Sequence, residues 1–143
     1  MSLSMIFVAA LVVGAAANAS EPADSTFDRL MKVDKFAFGG IGEGGDISQG
    51  EQDFNVILSR RSALADFVRL YSNGTLQAKA YALVGIRYLS QTRFRELAQS
   101  MGDSKESVHR QSGCKSFEEP FEKVLQDIAS GRYAKVKDTD AKP

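Results

Sequence analysis

The chain has 143 residues, with 18 basic and 18 acidic side chains, one histidine, one cysteine and no tryptophan. A chain of this length builds one hydrophobic core. Zero net charge gives no global attraction for nucleic acid, and a single cysteine excludes both an internal disulfide and a structural zinc site made of several cysteines.

The N-terminus reads as a secretory leader. An apolar run from Met5 to Ala17 ends in the small-residue triplet Ala17-Asn18-Ala19, and Ser20 and Glu21 follow. The run has 13 residues, too short for the ~20 that a helix needs to cross the hydrocarbon of a bilayer. Met1 to Ser4 contain no Lys or Arg, so the positive start of a typical leader is reduced to the α-amino group. The expectation is cleavage after Ala19 and export to the periplasm or the extracellular medium. It leaves a single domain over 20–133 with no transmembrane segment, followed by a charged, disordered tail over 134–143.

Charge is unevenly placed. Ser20 to Asp53 holds eight acids and three bases, and Phe54 to Arg110 holds nine bases and four acids. The two regions either face each other in the fold or turn the basic part towards an anionic partner.

In chain order, Phe27, Leu30 and Met31 share one face of a short helix over Ser25–Val33. Gly39 to Gly50 contains six glycines and reads as a loop. Ser48 and Glu51 form an S-x-x-E capping box that opens a helix carrying Phe54, Ile57 and Leu58; its carboxylate is expected to reach back to the cap. Ser62 caps a helix with Leu64, Phe67, Val68 and Tyr71 inward, and Asn73-Gly74 supplies residues tolerant of left-handed backbone at its end. Thr75 caps the next helix. From Leu76 to Leu89 it carries only Lys79 and Arg87 as charges, which marks a helix buried on several sides. Thr92–Met101 forms another helix, with Phe94, Leu97 and Met101 on one face. The polar segment Asp103–Lys115 reads as an irregular or extended excursion. Ser116 and Glu119 then give a second S-x-x-E box, opening a helix with Phe117, Phe121, Val124, Leu125 and Ile128 on its apolar face, and Gly131 ends it. A repeat is visible as Leu64, Phe67, Tyr71 against Phe94, Leu97, Met101, an offset of 30 residues that fits stacked helical hairpins.

Three stretches carry a resemblance: Phe38–Leu58 with its glycines, AYALVGIRYL over Ala80–Leu89, and Ser112-Gly113-Cys114 followed by a helix ending in Ile128–Tyr133. Together they resemble a family of uncharacterised exported bacterial proteins, and AYALVGIRYL is similar to helices of HEAT-like repeats. The resemblance implies an exported helical module with no catalytic residues to transfer, and HEAT-like arrays serve as binding scaffolds. The expected fold class is therefore all-α: a compact, HEAT-like bundle of short helical hairpins around the central apolar helix, with a Gly-rich loop.

Gly40, Gly42 and Gly45 match G-x-G-x-x-G, but a dinucleotide site needs a buried strand before them and a parallel sheet around them. His109 and Cys114 are the only candidates for a thiol–imidazole pair, which would require contact across a loop. Together with Asp103 and Glu106 they lack a recognised metal-ligand spacing. Asn73-Gly74-Thr75 is formally a glycosylation acceptor that a turn explains equally well. Arg60, Arg61 and Arg87 head a set of bases that could face an anion, and Arg87, on an otherwise apolar helix, should pair with Asp66 or Glu96 or point into a groove. Bases without interleaved exposed aromatics do not favour nucleic acid. The leading expectation is an exported, non-enzymatic interaction or structural module with a protein or an anionic envelope component as partner, and with no cofactor or metal. The alternative is a small envelope hydrolase or thiol enzyme that uses Cys114 and His109 in the 103–115 loop.

Overall fold

A computed structural model describes residues 24–133. The expected leader and charged tail lie outside the described residues. Asp24 opens α1 (Ser25–Met31) by accepting from the Phe27 N–H at 3.2 Å. An extended segment then leads into a small ribbon, β1 (Gly40–Ile41) antiparallel to β2 (Asp46–Ile47). Four helices follow: α2 (Gln49–Leu58), α3 (Ala63–Asn73), α4 (Leu76–Leu89) and α5 (Gln91–Met101). The chain then makes a hairpin, β3 (Ser107–Ser112) and β4 (Lys115–Pro120), and closes with α6 (Phe121–Ala129).

Helix α4 is the hub. Ala78 and the whole run Ala80–Ile86 are buried, and α3, α5 and α6 all pack against it. Its all-round apolar sequence leaves no face that prefers water, so burial on several sides is the stable arrangement. Side-chain hydroxyls cap three of the helices: Ser48 accepts from Glu51 N–H at 3.1 Å, Thr75 from Ala78 N–H at 3.1 Å and Ser90 from Arg93 N–H at 3.3 Å. Ser62 makes no such cap; its hydroxyl donates to Asp66 at 2.8 Å. Left-handed backbone is absent at the end of α3, where Gly74 has φ −83°.

The all-α expectation is wrong. The described residues hold six helices and two antiparallel two-stranded ribbons, a mixed α/β fold. Ser116 and Glu119 cap nothing. Both lie on β4, and α6 begins only at Phe121, with Pro120 as its N-cap residue. The fixed φ of proline ends the strand and suits the entry to a helix. The excursion over 103–115 is extended for its second half, as β3. Gly131, with φ 84°, terminates the last helix.

Leu83 has no exposed surface. Leu83→Ala should therefore lower unfolding stability by ~2–5 kcal/mol, whereas Arg95→Ala on the exposed face of α5 should change it by less than ~0.5. Urea midpoints of the two variants check the central place of α4; equal midpoints would refute it.

Candidate functional site

The extended segment before β1 is held by one hydroxyl. Tyr81, buried in α4, accepts from Ala37 N–H at 3.1 Å and donates to Ala37 C=O at 2.9 Å, so one side chain satisfies both backbone groups of a buried residue. Ser48 also donates to the Ala37 carbonyl, at 2.9 Å. Gly50, in the first turn of α2, makes room for this clamp: a β-carbon there would stand 2.6 Å from the Tyr81 hydroxyl. The rings of Phe36, Phe38 and Phe54 surround Tyr81, and Tyr133 packs on Phe36 and Phe38, at edge-on or tilted angles with neighbouring centroids 5.0–6.2 Å apart. Burial pushes the Tyr81 and Tyr133 hydroxyls above the usual phenol range. Glu51 departs from the expected box. Its carboxylate accepts from Gly39 N–H at 2.9 Å, tying the start of the Gly-rich ribbon to α2. Desolvation raises its pKa, and the Gly39 hydrogen bond only partly offsets this.

The β3–β4 hairpin is docked by the same region. Phe36 N–H donates to His109 C=O at 2.8 Å and Gln111 N–H donates to Phe36 C=O at 3.2 Å; further along, Gly42 N–H donates to Gly113 C=O at 3.0 Å and Gly113 N–H to Gly40 C=O at 3.2 Å. Strand β3 is therefore central, with β4 on one side and the 36–42 segment on the other. Gly113, with φ 55°, and Cys114 form the two-residue turn, in which glycine at the first central position supplies the left-handed backbone a tight hairpin needs. On the inward face, Arg110 is buried among Phe36, Phe117 and Tyr133. It pairs with Glu119 across the strands and lies 3.6 Å from Asp127 of α6, which Arg132 also contacts at 2.7 Å. This ionic cluster fixes the hairpin to α6. On the opposite face, His109 Nδ1 meets Glu118 at 2.6 Å as a directly opposed cross-strand pair.

The residues singled out from sequence end up as follows. Cys114 is exposed at the hairpin tip. His109 lies on β3 three residues before Ser112, which is about 10 Å of extended strand before the turn that carries Cys114 begins, and its ring is engaged by Glu118. The two do not form a thiol–imidazole pair. Arg60 is taken up by Asp24, with Nη2 3.0 Å from Oδ1, and lies 3.7 Å from Asp66; the Arg60 guanidinium holds the Asp24 carboxyl below its usual range. Through this bridge the acidic and basic regions of the chain meet. Arg61 is exposed. Arg87 pairs with neither Asp66 nor Glu96: those acids contact Arg69 and Arg93 respectively, and the Arg87 guanidinium rests beside Gly131 at the end of α6. Gly42 and Gly45 have φ 68° and 69° in the β1–β2 turn, which precedes a strand and not the start of a helix, so G-x-G-x-x-G here is turn chemistry. Among the described residues no group of three His, Cys, Asp or Glu side chains could hold a metal ion, and no helix is long and apolar enough to cross a membrane.

One accessible surface is the outer half of the hairpin. Lys115 to Glu118 are exposed in succession, and Phe117 keeps 40% of its surface in solvent. Register shows what that edge offers. Because His109 and Gln111 turn their backbone groups towards Phe36, the β3 residues bonded to β4 are Val108, Arg110 and Ser112, opposite Glu119, Phe117 and Lys115. Ser116 and Glu118 therefore direct N–H and C=O outward, unpaired among the described residues. A second accessible surface is a shallow groove between α5 and α6, lined by Phe94, Ala98, Leu125 and Ala129 among others. Of the residues that build this end of the molecule, sequence reading passed over Tyr81 and Arg110 and took Glu119 for part of a helix cap. Comparison with protein-family models, curated proteins and solved structures returns no match.

Two outcomes follow from this geometry. Iodoacetamide should modify Cys114 in the native protein at the same rate in wild type and in His109→Ala, because the imidazole is too far away to assist; a slowing of several-fold in the variant would restore the thiol pair. Glu51 has its folded pKa raised above the ordinary 4.5, so the stability it contributes is present at pH below that value and is lost as pH rises through the folded pKa. Glu51→Gln removes the titration. The difference in melting temperature, variant minus wild type, should thus be more positive at pH 7 than at pH 4, and the opposite trend in thermal scans would show that burial is not the dominant effect on this carboxyl.

Proposed function

We propose that this chain is an exported, non-enzymatic interaction module that engages a protein partner through the exposed half of the β3–β4 hairpin. The observation that carries the reading is the accessible β4 edge, with outward backbone groups at Ser116 and Glu118 beside the half-exposed ring of Phe117. Unpaired strand edges recruit extended segments of other chains, with backbone hydrogen bonds giving affinity and side chains on alternate positions giving selectivity. The separation of His109 and Cys114 favours this reading over thiol chemistry. The use of Arg60 inside the fold favours a protein over an anionic envelope component. Export rests on the leader over 1–19 and on the resemblance to exported bacterial proteins.

A photo-cross-linking amino acid placed at Phe117 should give a discrete adduct in the native host, recovered from the periplasm or medium with Ser20 at the N-terminus. The same probe at Leu125, in the groove between α5 and α6, should give none. Adducts at 125 alone would move the binding face to the helices, and a chain retained in the cytosol with Met1 intact would refute export.

A further inference from the structure

We propose that the partner at β4 is a second copy of this chain, the two β4 strands pairing antiparallel about a two-fold axis at Phe117. This rests on the reading that the hairpin edge is the binding surface, and it follows from the residues along that edge. Centring the pair on Phe117 sets Ser116 against Glu118 of the partner subunit, and Glu118 against Ser116 of the partner subunit. These are the positions whose N–H and C=O groups point outward, so the pairing closes four backbone hydrogen bonds and leaves the β3–β4 ladder untouched.

The side chains in that register are complementary. Lys115 stands opposite Glu119 of the partner subunit, twice by symmetry, as a second cation beside the carboxylate that Arg110 already holds, and the Ser116 hydroxyl stands opposite the partner subunit's Glu118, a carboxylate that also meets His109. The two Phe117 rings meet at the non-hydrogen-bonded position, where side chains of neighbouring strands come closest. Each ring already has the Arg110 guanidinium on one side, 5.7 Å from its centroid, so the second ring covers the surface that remains in solvent. Other centres fail. An axis at Glu118 puts two carboxylates face to face and asks Pro120 for an N–H it lacks; an axis at Ser116 removes Glu119 from Lys115 and pushes Glu118 against the turn at Cys114. Strand pairing of the same patch on both subunits is isologous and closes at two, which yields a four-stranded antiparallel sheet and no open fibre. Only a short edge is buried, so the dimer belongs to the weak, concentration-dependent class.

The full chain, expressed with its leader and purified from the exporting host, should shift from monomer to dimer in sedimentation velocity as concentration rises from micromolar to millimolar. In a Cys114→Ser background, Phe117→Cys places two thiols across the axis, where β-carbons about 4.5–5.5 Å apart permit a disulfide after a small adjustment. Lys115→Cys in the same background sets them about 13 Å apart. Mild oxidation should therefore cross-link the first variant about ten-fold faster than the second. Ser116→Pro removes an outward N–H that the hairpin itself does not use and should abolish the dimer while leaving the urea midpoint near wild type; if that variant unfolds, the two cysteine variants decide alone. A monomer at every concentration, with equal cross-linking of the two cysteine variants, overturns the inference. Should that occur while the Phe117 photo-adduct contains a different protein, self-pairing fails and the interaction module stands; a Phe117 adduct of twice the chain mass supports both.

Discussion

The hydroxyl of Tyr81 decides how the two halves of this molecule meet. An extended segment laid across a helical core must satisfy its backbone groups, and a buried N–H or C=O left unpaired costs ~1–3 kcal/mol. Ala37 is buried and has no strand beside it at that point. Tyr81 supplies both a donor and an acceptor from within α4, and Ser48 adds a second donor. With residues 36–39 fixed on the core, their other backbone edge is free to receive β3. The β-hairpin is thus attached to a helical hub through one phenol and the strand it immobilises.

A second, ionic fastening works at the opposite side of the hairpin. Arg110 and Glu119 face inward at positions where a sandwich or a barrel would carry valine or isoleucine. A buried pair of this kind contributes little net stability against apolar residues of equal volume. What it imposes is geometry: Arg110 must stay between Glu119 and Asp127, which sets the angle between the hairpin and α6. Three aromatic rings around the guanidinium restrict its movement further. A one-residue slip of β3 would turn Arg110 and apolar Val108 towards solvent, and a slip of β4 would turn Glu119 out; either would leave the other charge of the pair facing inward alone.

The helices were largely legible because their information is local. Phe27 and Leu30, Phe67 and Leu70, and Val124 and Ile128 repeat at helical spacing, and the scarcity of charge between Leu76 and Leu89 marks the hub directly. The β-hairpin was hidden for a physical reason. Strand recognition relies on apolar residues at alternate positions, and here two of the four inward positions nearest the core, Arg110 and Glu119, are charged and neutralise each other across the strands. Alternation exists, but it is written in charge. The same segment also carries a misleading signal, since Ser116 and Glu119 have the spacing of a capping box while Pro120 and the β pairing take them into a strand. At Ser48 and Glu51 the spacing marks a true helix start, yet the carboxylate serves a different backbone N–H. Which donor an acid finds depends on tertiary neighbours that a sequence pattern does not contain, and the clamp at Tyr81 spans 44 residues.

The contact between the two ribbons has an evolutionary consequence. Gly113, at the apex of the β3–β4 turn, exchanges hydrogen bonds with Gly40 and Gly42 at the foot of the Gly-rich turn. Turns at the surface ordinarily accept insertions and deletions independently of one another. Here a residue added to either turn would carry its glycine out of reach of the other, breaking a match that neither segment can re-form alone. Length changes in these two places, more than seventy residues apart in the chain by number, should therefore arise in compensating pairs when homologous sequences are compared, and the small ribbon at Gly40 should shorten or lengthen in step with the hairpin it supports.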